Sequence, residues 1–191
     1  MPWNSGERTG AALDTMSEFN VSTFSISTWF RCENADRFRT ITSRNAEWQN
    51  RQWWLTIWQN NYGGHGNGVL AFRMSPVSGT YVDLASEVRV DDNEWHHAIV
   101  TVDSESGEAN LYLDGELVDT ITGFSSPKFP IVAPSIGVDP SGSGRYFYGA
   151  IDDLRIYNRV LNPNERSQLS EPTAQQVRVV RWREIGGQDN P

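Results

Sequence analysis

The chain has 191 residues, 38% hydrophobic and 21% charged, and a net charge of −8, which is the size of one domain with no apolar run near the roughly 20 residues a membrane helix needs. The acidic balance argues against a nucleic-acid partner and against membrane insertion, because nucleic acids and anionic lipids recruit basic faces. Cys32 is the only cysteine, so no intrachain disulfide forms, and three histidines beside it make a closed zinc site a poor fit.

Residues 1–20 are polar, lack a clear period and read as an N-terminal arm; they carry no basic stretch followed by an apolar one, so no secretory signal is expected in them. From there the period is two, the signature of strands. Thr23 to Arg31 alternates Phe24, Ile26, Thr28 and Phe30 against Ser25, Ser27, Trp29 and Arg31. Trp53 to Gln59 sets Trp53, Leu55 and Ile57 on one face and Trp54, Thr56 and Trp58 on the other. Gly68–Met74, Thr80–Ala85 and Trp95–Asp103 follow, separated by a Gly/Asn-rich loop over 60–68 and a polar turn over 91–94. Asp114-Gly115 sits between Ala109–Leu113 and Glu116–Val118 and predicts a two-residue hairpin turn, since Gly takes φ > 0 cheaply and Asp tolerates it. Tyr146–Tyr157 reads as a late strand. One short helix is predicted over 162–169, with Asn162 as its cap and Pro163 at its first position. After Glu171-Pro172, Val177–Ile185 reads as one more strand, either closing the same domain or docking on a neighbour. Many short strands with turn signals between them predict an all-β, two-sheet antiparallel sandwich or jelly roll.

Three stretches in order resemble one family. Phe24–Phe30 (FSISTWF), Glu94–Val118 (EWHHAIVTVDSESGEANLYLDGELV) and Gly149–Glu165 (GAIDDLRIYNRVLNPNE) are similar to the early strand, central hairpin and late strand plus helix of the laminin-G-like jelly roll, of the concanavalin A-like lectin/glucanase group. The resemblance spans 21–169 and implies a sandwich over 21–170, with 171–191 as a C-terminal strand or arm. It leaves function open, because this fold hosts adhesion modules, carbohydrate-binding modules, pentraxin-like proteins, glycoside hydrolases and virion surface proteins.

Glucanases of this group use a Glu-x-Asp-x-x-Glu strand whose carboxyls sit about 5–5.5 Å apart. No Glu-x-Asp occurs here, so an enzyme is not expected. His96 and His97 are adjacent on a strand, point to opposite faces and cannot share an ion. The resemblance implies a calcium ion near the sandwich rim, for which Asp152, Asp153 and Asp139 are the candidate ligands. Trp54, Thr56 and Trp58, with Asn60 and Tyr62, form the candidate sugar platform: two indoles flank a hydroxyl on one face. The same face would serve equally to bury against an arm or another subunit. Arg178, Arg181, Trp182 and Arg183 are the candidate docking strip toward an acidic partner. A fold that is usually exported, without an export signal, leads to the expectation of a virion surface protein. Its partners would be a capsid or tail protein, a host glycan, or copies of itself. A secreted, calcium-dependent lectin is the alternative.

Overall fold

The computed structural model describes residues 11–12, 17–33, 37–47, 50–59, 61–140 and 145–172. Eleven strands and one helix are found there: β1 (Ala11–Ala12), β2 (Phe24–Cys32), β3 (Arg39–Glu47), β4 (Asn50–Trp58), β5 (Val69–Met74), β6 (Val82–Arg89), β7 (His96–Asp103), β8 (Glu108–Leu113), β9 (Glu116–Thr122), β10 (Ser135–Ile136), β11 (Gly149–Tyr157) and α1 (Pro163–Ser170). They form a six-stranded sheet, β1-β10-β3-β4-β5-β6, and a five-stranded sheet, β11-β2-β7-β8-β9. The all-β sandwich expected from the sequence is the fold found.

The core is made by the inward members of the alternating strands. Phe24, Ile26 and Phe30 of β2 and Ala98, Val100 and Val102 of β7 face Trp53, Leu55 and Ile57 of β4 and Leu70, Phe72 and Met74 of β5, all buried. At one side of the sandwich β6 is tied to β9 by the Ala85 N–H donating to Asp119 Oδ2 at 2.9 Å. Asp114 (φ 51°) and Gly115 (φ 88°) make the expected two-residue turn, which pairs Leu113 with Glu116.

The segment 158–170 packs on the outer face of the five-stranded sheet, over β2 and Tyr112 of β8. Ser25 Oγ donates to the Arg159 carbonyl (2.8 Å), and Trp29 Nε1 donates to the Leu169 carbonyl (3.3 Å). The Arg166 guanidinium lies 4.5 Å from the Tyr112 ring centre. α1 starts with a capping box: Asn162 Oδ1 accepts from the Glu165 N–H, and Glu165 Oε2 accepts from the Asn162 N–H.

Two elements differ from expectation. β3 has no apolar alternation because Thr40, Thr42, Ser43, Arg44 and Asn45 are buried by hydrogen bonding rather than by apolarity. Thr42 Oγ1 donates to the Ser135 carbonyl and Ser43 Oγ to the Val138 carbonyl, both at 2.9 Å. The end of the expected N-terminal arm belongs to the sandwich: Ala11–Ala12 pairs with Ser135–Ile136, and Phe19 packs against the core. Arg44 fixes that segment by donating to the Phe19 carbonyl (2.9 Å) and to Asn20 Oδ1 (2.8 Å). The expected strand 177–185, with Arg178, Arg181, Trp182 and Arg183, lies outside the described residues, as does Asn60.

Candidate functional site

The outer face of β3–β6 carries the side chains the sequence singles out. Trp54, Thr56 and Trp58 do share a face, but it is covered, and all three are fully buried. An open platform of two indoles is therefore corrected to a buried layer. The physical reason is a set of arginines that the periodicity does not bring together. Arg51 lies 4.5 Å and Arg145 4.8 Å from the Trp54 ring centre, and Arg145 continues to Phe38 at 5.3 Å. Arg73 sits between Trp58 (5.5 Å) and Tyr81 (4.6 Å). Guanidinium over an aromatic face is an attractive contact that strengthens when water is excluded. Trp54 Nε1 donates to Thr40 Oγ1 (2.9 Å), and Thr56 Oγ1 donates to the Arg39 carbonyl (2.9 Å), so these two polar groups are spent internally. Tyr62 lies in a short 3-10 turn over Tyr62–Gly64.

Arg51 reaches this face through a bulge. Asn45 pairs with Arg51 but Arg44 pairs with Trp53, so one extra residue in β4 shifts the phase of the strand. No sequence signal marks that shift. Arg73 reaches the same face without a bulge: in Val69–Met74 it is in phase with Val69 and Ala71 and pairs with Trp54. Burial lowers the pKa of the Arg51 guanidinium, and the Asp139 charge opposes that shift.

Two open aromatic edges bound the layer. Tyr148, just before β11, is 52% exposed, with the Arg39 guanidinium 4.5 Å from its ring centre. Tyr81 lines an open cavity of about 270 Å3 with Ser75, Thr80 and Lys128.

The three candidate calcium ligands each have a partner in the structure, and they are not grouped. Asp139 is buried on the six-stranded side, where its oxygens accept from Asn45 Nδ2 (2.8 Å) and Arg145 Nη1 (2.7 Å), so arginine already supplies the positive charge. Asp153 pairs with Arg155 at 2.7 Å. Asp152 Oδ1 accepts from the Asp153 N–H. Among the described residues no group of three or more His, Cys, Asp or Glu side chains is placed to hold a metal.

The two histidines have separate, structural settings. His96 lies between carboxylates, with Nδ1 2.7 Å from Asp114 and Nε2 3.1 Å from Asp92. The Asp114 hydrogen bond raises its pKa, against a smaller effect of burial. On the other face, His97 is hydrogen-bonded to Ser27 (2.9 Å) and Ser170 (3.1 Å), and burial pushes its pKa down to about 4. The signs oppose. A raised folded pKa stabilises below the unfolded value of 6.5 and loses that contribution as pH rises through the folded value. A depressed one makes the native state refuse a proton the unfolded chain takes, so stability falls from pH 6.5 toward 4, by about 3 kcal/mol for His97. Stability should therefore peak near pH 6.5. Urea unfolding across pH 4–9 checks this, and His96→Gln should flatten the alkaline limb alone.

The sandwich, the covered outer faces and the helix after the last strand set the comparison with known proteins. A family model, Laminin_G_3 of the concanavalin A-like lectin/glucanases superfamily, matches residues 5–165. The chain belongs to this laminin-G-like family. Among curated proteins, the chain is 28% identical over 142 residues to the rat "Sushi, von Willebrand factor type A, EGF and pentraxin domain-containing protein 1", a match that covers 64% of this chain but only 4% of that protein. Among solved structures it resembles the carbohydrate-binding module CBM40 of Ruminococcus gnavus IT-sialidase (TM-score 0.67, 17% identity, 86% of this chain and 93% of that one). It also resembles the binding domain of Paraclostridial Mosquitocidal Protein 1 (TM-score 0.67, 19% identity, 87% of this chain and 42% of that one). At these identities the two structures establish the shared fold.

Proposed function

We propose that this laminin-G-like domain is a non-enzymatic glycan-binding module that presents Tyr148 at the edge of the outer face of its six-stranded sheet. The observation that carries the reading is the half-exposed Tyr148 ring with the Arg39 guanidinium 4.5 Å away. An exposed ring held in one orientation loses little freedom when a sugar ring stacks on it, and the apolar face of a pyranose matches it. The groups that could do hydrolytic chemistry are otherwise engaged: His96 is clamped by two carboxylates, and His97 is buried and neutral at pH 7. Cys32 is buried, with its thiol pushed up to about 12. The sialidase module of the same fold is described as carbohydrate-binding and has been solved with sialyllactose, which supports the reading.

The test is a glycan array with the full chain, in calcium and in EDTA, repeated with Tyr148→Ala. Binding to at least one glycan class is expected in both buffers, weakened at least about tenfold by the substitution. Binding that survives Tyr148→Ala at full strength would overturn the placement, and loss in EDTA alone would overturn the metal-free form. A silent array would favour the second reading, attachment to a virion or another assembly. For that reading the loop after β9 offers an apolar contact, with Ile131 94% and Phe129 41% exposed.

A further inference from the structure

A second cavity lies between the edge strand β11 and helix α1. Its volume is about 230 Å3. One lip is the alternate face of β11: Asp153, Arg155 and Tyr157. The other is one side of α1, Glu165, Gln168 and Leu169, with the buried Leu161 as floor. The β11–β2 pairing slips between Asp152 and Arg155, and Asp153 adopts φ 49°, a left-handed conformation that costs a non-glycine residue energy.

We infer that this groove is a binding subsite for a single neutral sugar ring. The inference rests on the glycan-binding reading above and adds a second, independent contact to it. Charge decides the ligand class. Two carboxylates, Asp153 and Glu165, are matched by two guanidiniums, Arg155 at 2.7 Å and Arg159 bidentately at 2.7 and 2.8 Å. The groove therefore favours neither an anion nor a cation. Both carboxylates are pinned by their arginines, so they are oriented acceptors before any ligand arrives. Asp153 Oδ2 and the Gln168 amide take no hydrogen bond among the described residues. Fixed acceptors and an uncommitted amide, in a groove also lined by Tyr157 (its ring 5.6 Å from the Arg159 guanidinium) and Leu161, suit a ligand with one apolar face and hydroxyls that both donate and accept. The cavity lies below the roughly 300 Å3 where pockets for drug-sized ligands begin, which matches one ring and not a longer chain.

The experiment is an amide NMR titration of the full chain with methyl glycosides of galactose, glucose and mannose at millimolar concentration, on wild type, Asp153→Gly, Gln168→Ala and Tyr148→Ala. Glycine accepts the backbone of residue 153 at least as well as aspartate, so Asp153→Gly removes the carboxylate while leaving the melting temperature within a few degrees. At least one glycoside is expected to shift the amides of Asp153, Arg155, Tyr157 and Gln168. Asp153→Gly should weaken that response about tenfold or more, and Tyr148→Ala should leave it unchanged. Shifts confined to the Tyr148 side would overturn the groove and leave the first site standing. Groove shifts that Asp153→Gly and Gln168→Ala leave intact, or no shifts with any glycoside while the array is positive, would overturn it as well. Silence in both experiments would remove both sites.

Discussion

Replacing Gly149 by alanine is expected to destabilise the domain by about 3 kcal/mol or more. Gly149 begins β11 at φ 148°, opposite Cys32 of β2. A Cβ there would lie 2.0 Å from the Arg31 carbonyl oxygen and 3.1 Å from the Cys32 Cα. These are backbone atoms of a strand held on its other edge by β7, so β2 cannot give way without loss of its own pairing. The start of β11 would have to detach instead, and Tyr148, the preceding residue, would move with it. Urea unfolding measures the first effect and the glycan array the second. An unchanged unfolding midpoint would show that this end of β11 contributes nothing to stability.

Trp54→Ala should cost about 4 kcal/mol, near the top of the range for large-to-small changes in a core. The side chain is fully buried although it is on the side of the sheet away from the main core. Its loss would remove the ring that stacks with both Arg51 and Arg145, and the Nε1 hydrogen bond to Thr40. Two buried guanidiniums would then face a void, and desolvated cations tolerate that poorly. Trp54→Phe should recover a large part of the stability, because a smaller ring still offers a face to both arginines. If Trp54→Ala unfolded at the wild-type urea concentration, the layer would be packing over the sheet without holding it.

Periodicity made most of the sandwich legible. The alternation of Thr23–Arg31 and Trp53–Gln59 separated the two faces of β2 and β4, and Asp114-Gly115 located a hairpin through backbone chemistry alone. β3 was invisible because Thr42, Ser43 and Arg44 are buried through their hydrogen bonds, and a hydropathy pattern has no term for a polar group that finds a partner. The Trp54–Trp58 face shows a different limit. Alternation gives the direction of a side chain, not what stands above it. Here the cover comes from Arg73 and Arg145, far apart in the chain, and from Arg51, which a bulge turns out of phase. Tyr148 was read as part of a strand over Tyr146–Tyr157, whereas the strand begins at Gly149 and leaves Tyr148 half-exposed before it. Of the aspartates expected to bind calcium, Asp139 and Asp153 sit beside Arg145 and Arg155, partners that the strand pattern does not show.

The way α1 is moored has a consequence for how such a domain can diversify. Ser25 and Trp29 grip the carbonyls of Arg159 and Leu169, and Arg166 holds the carbonyl of Leu161. Every residue type offers the same carbonyl. The outward side chains of α1 can therefore be exchanged without loosening the helix from the sheet, as long as Asn162 and Glu165 keep its first turn. One wall of the groove is thus free to change its chemistry while the scaffold stays fixed, much as an antibody framework tolerates new loops.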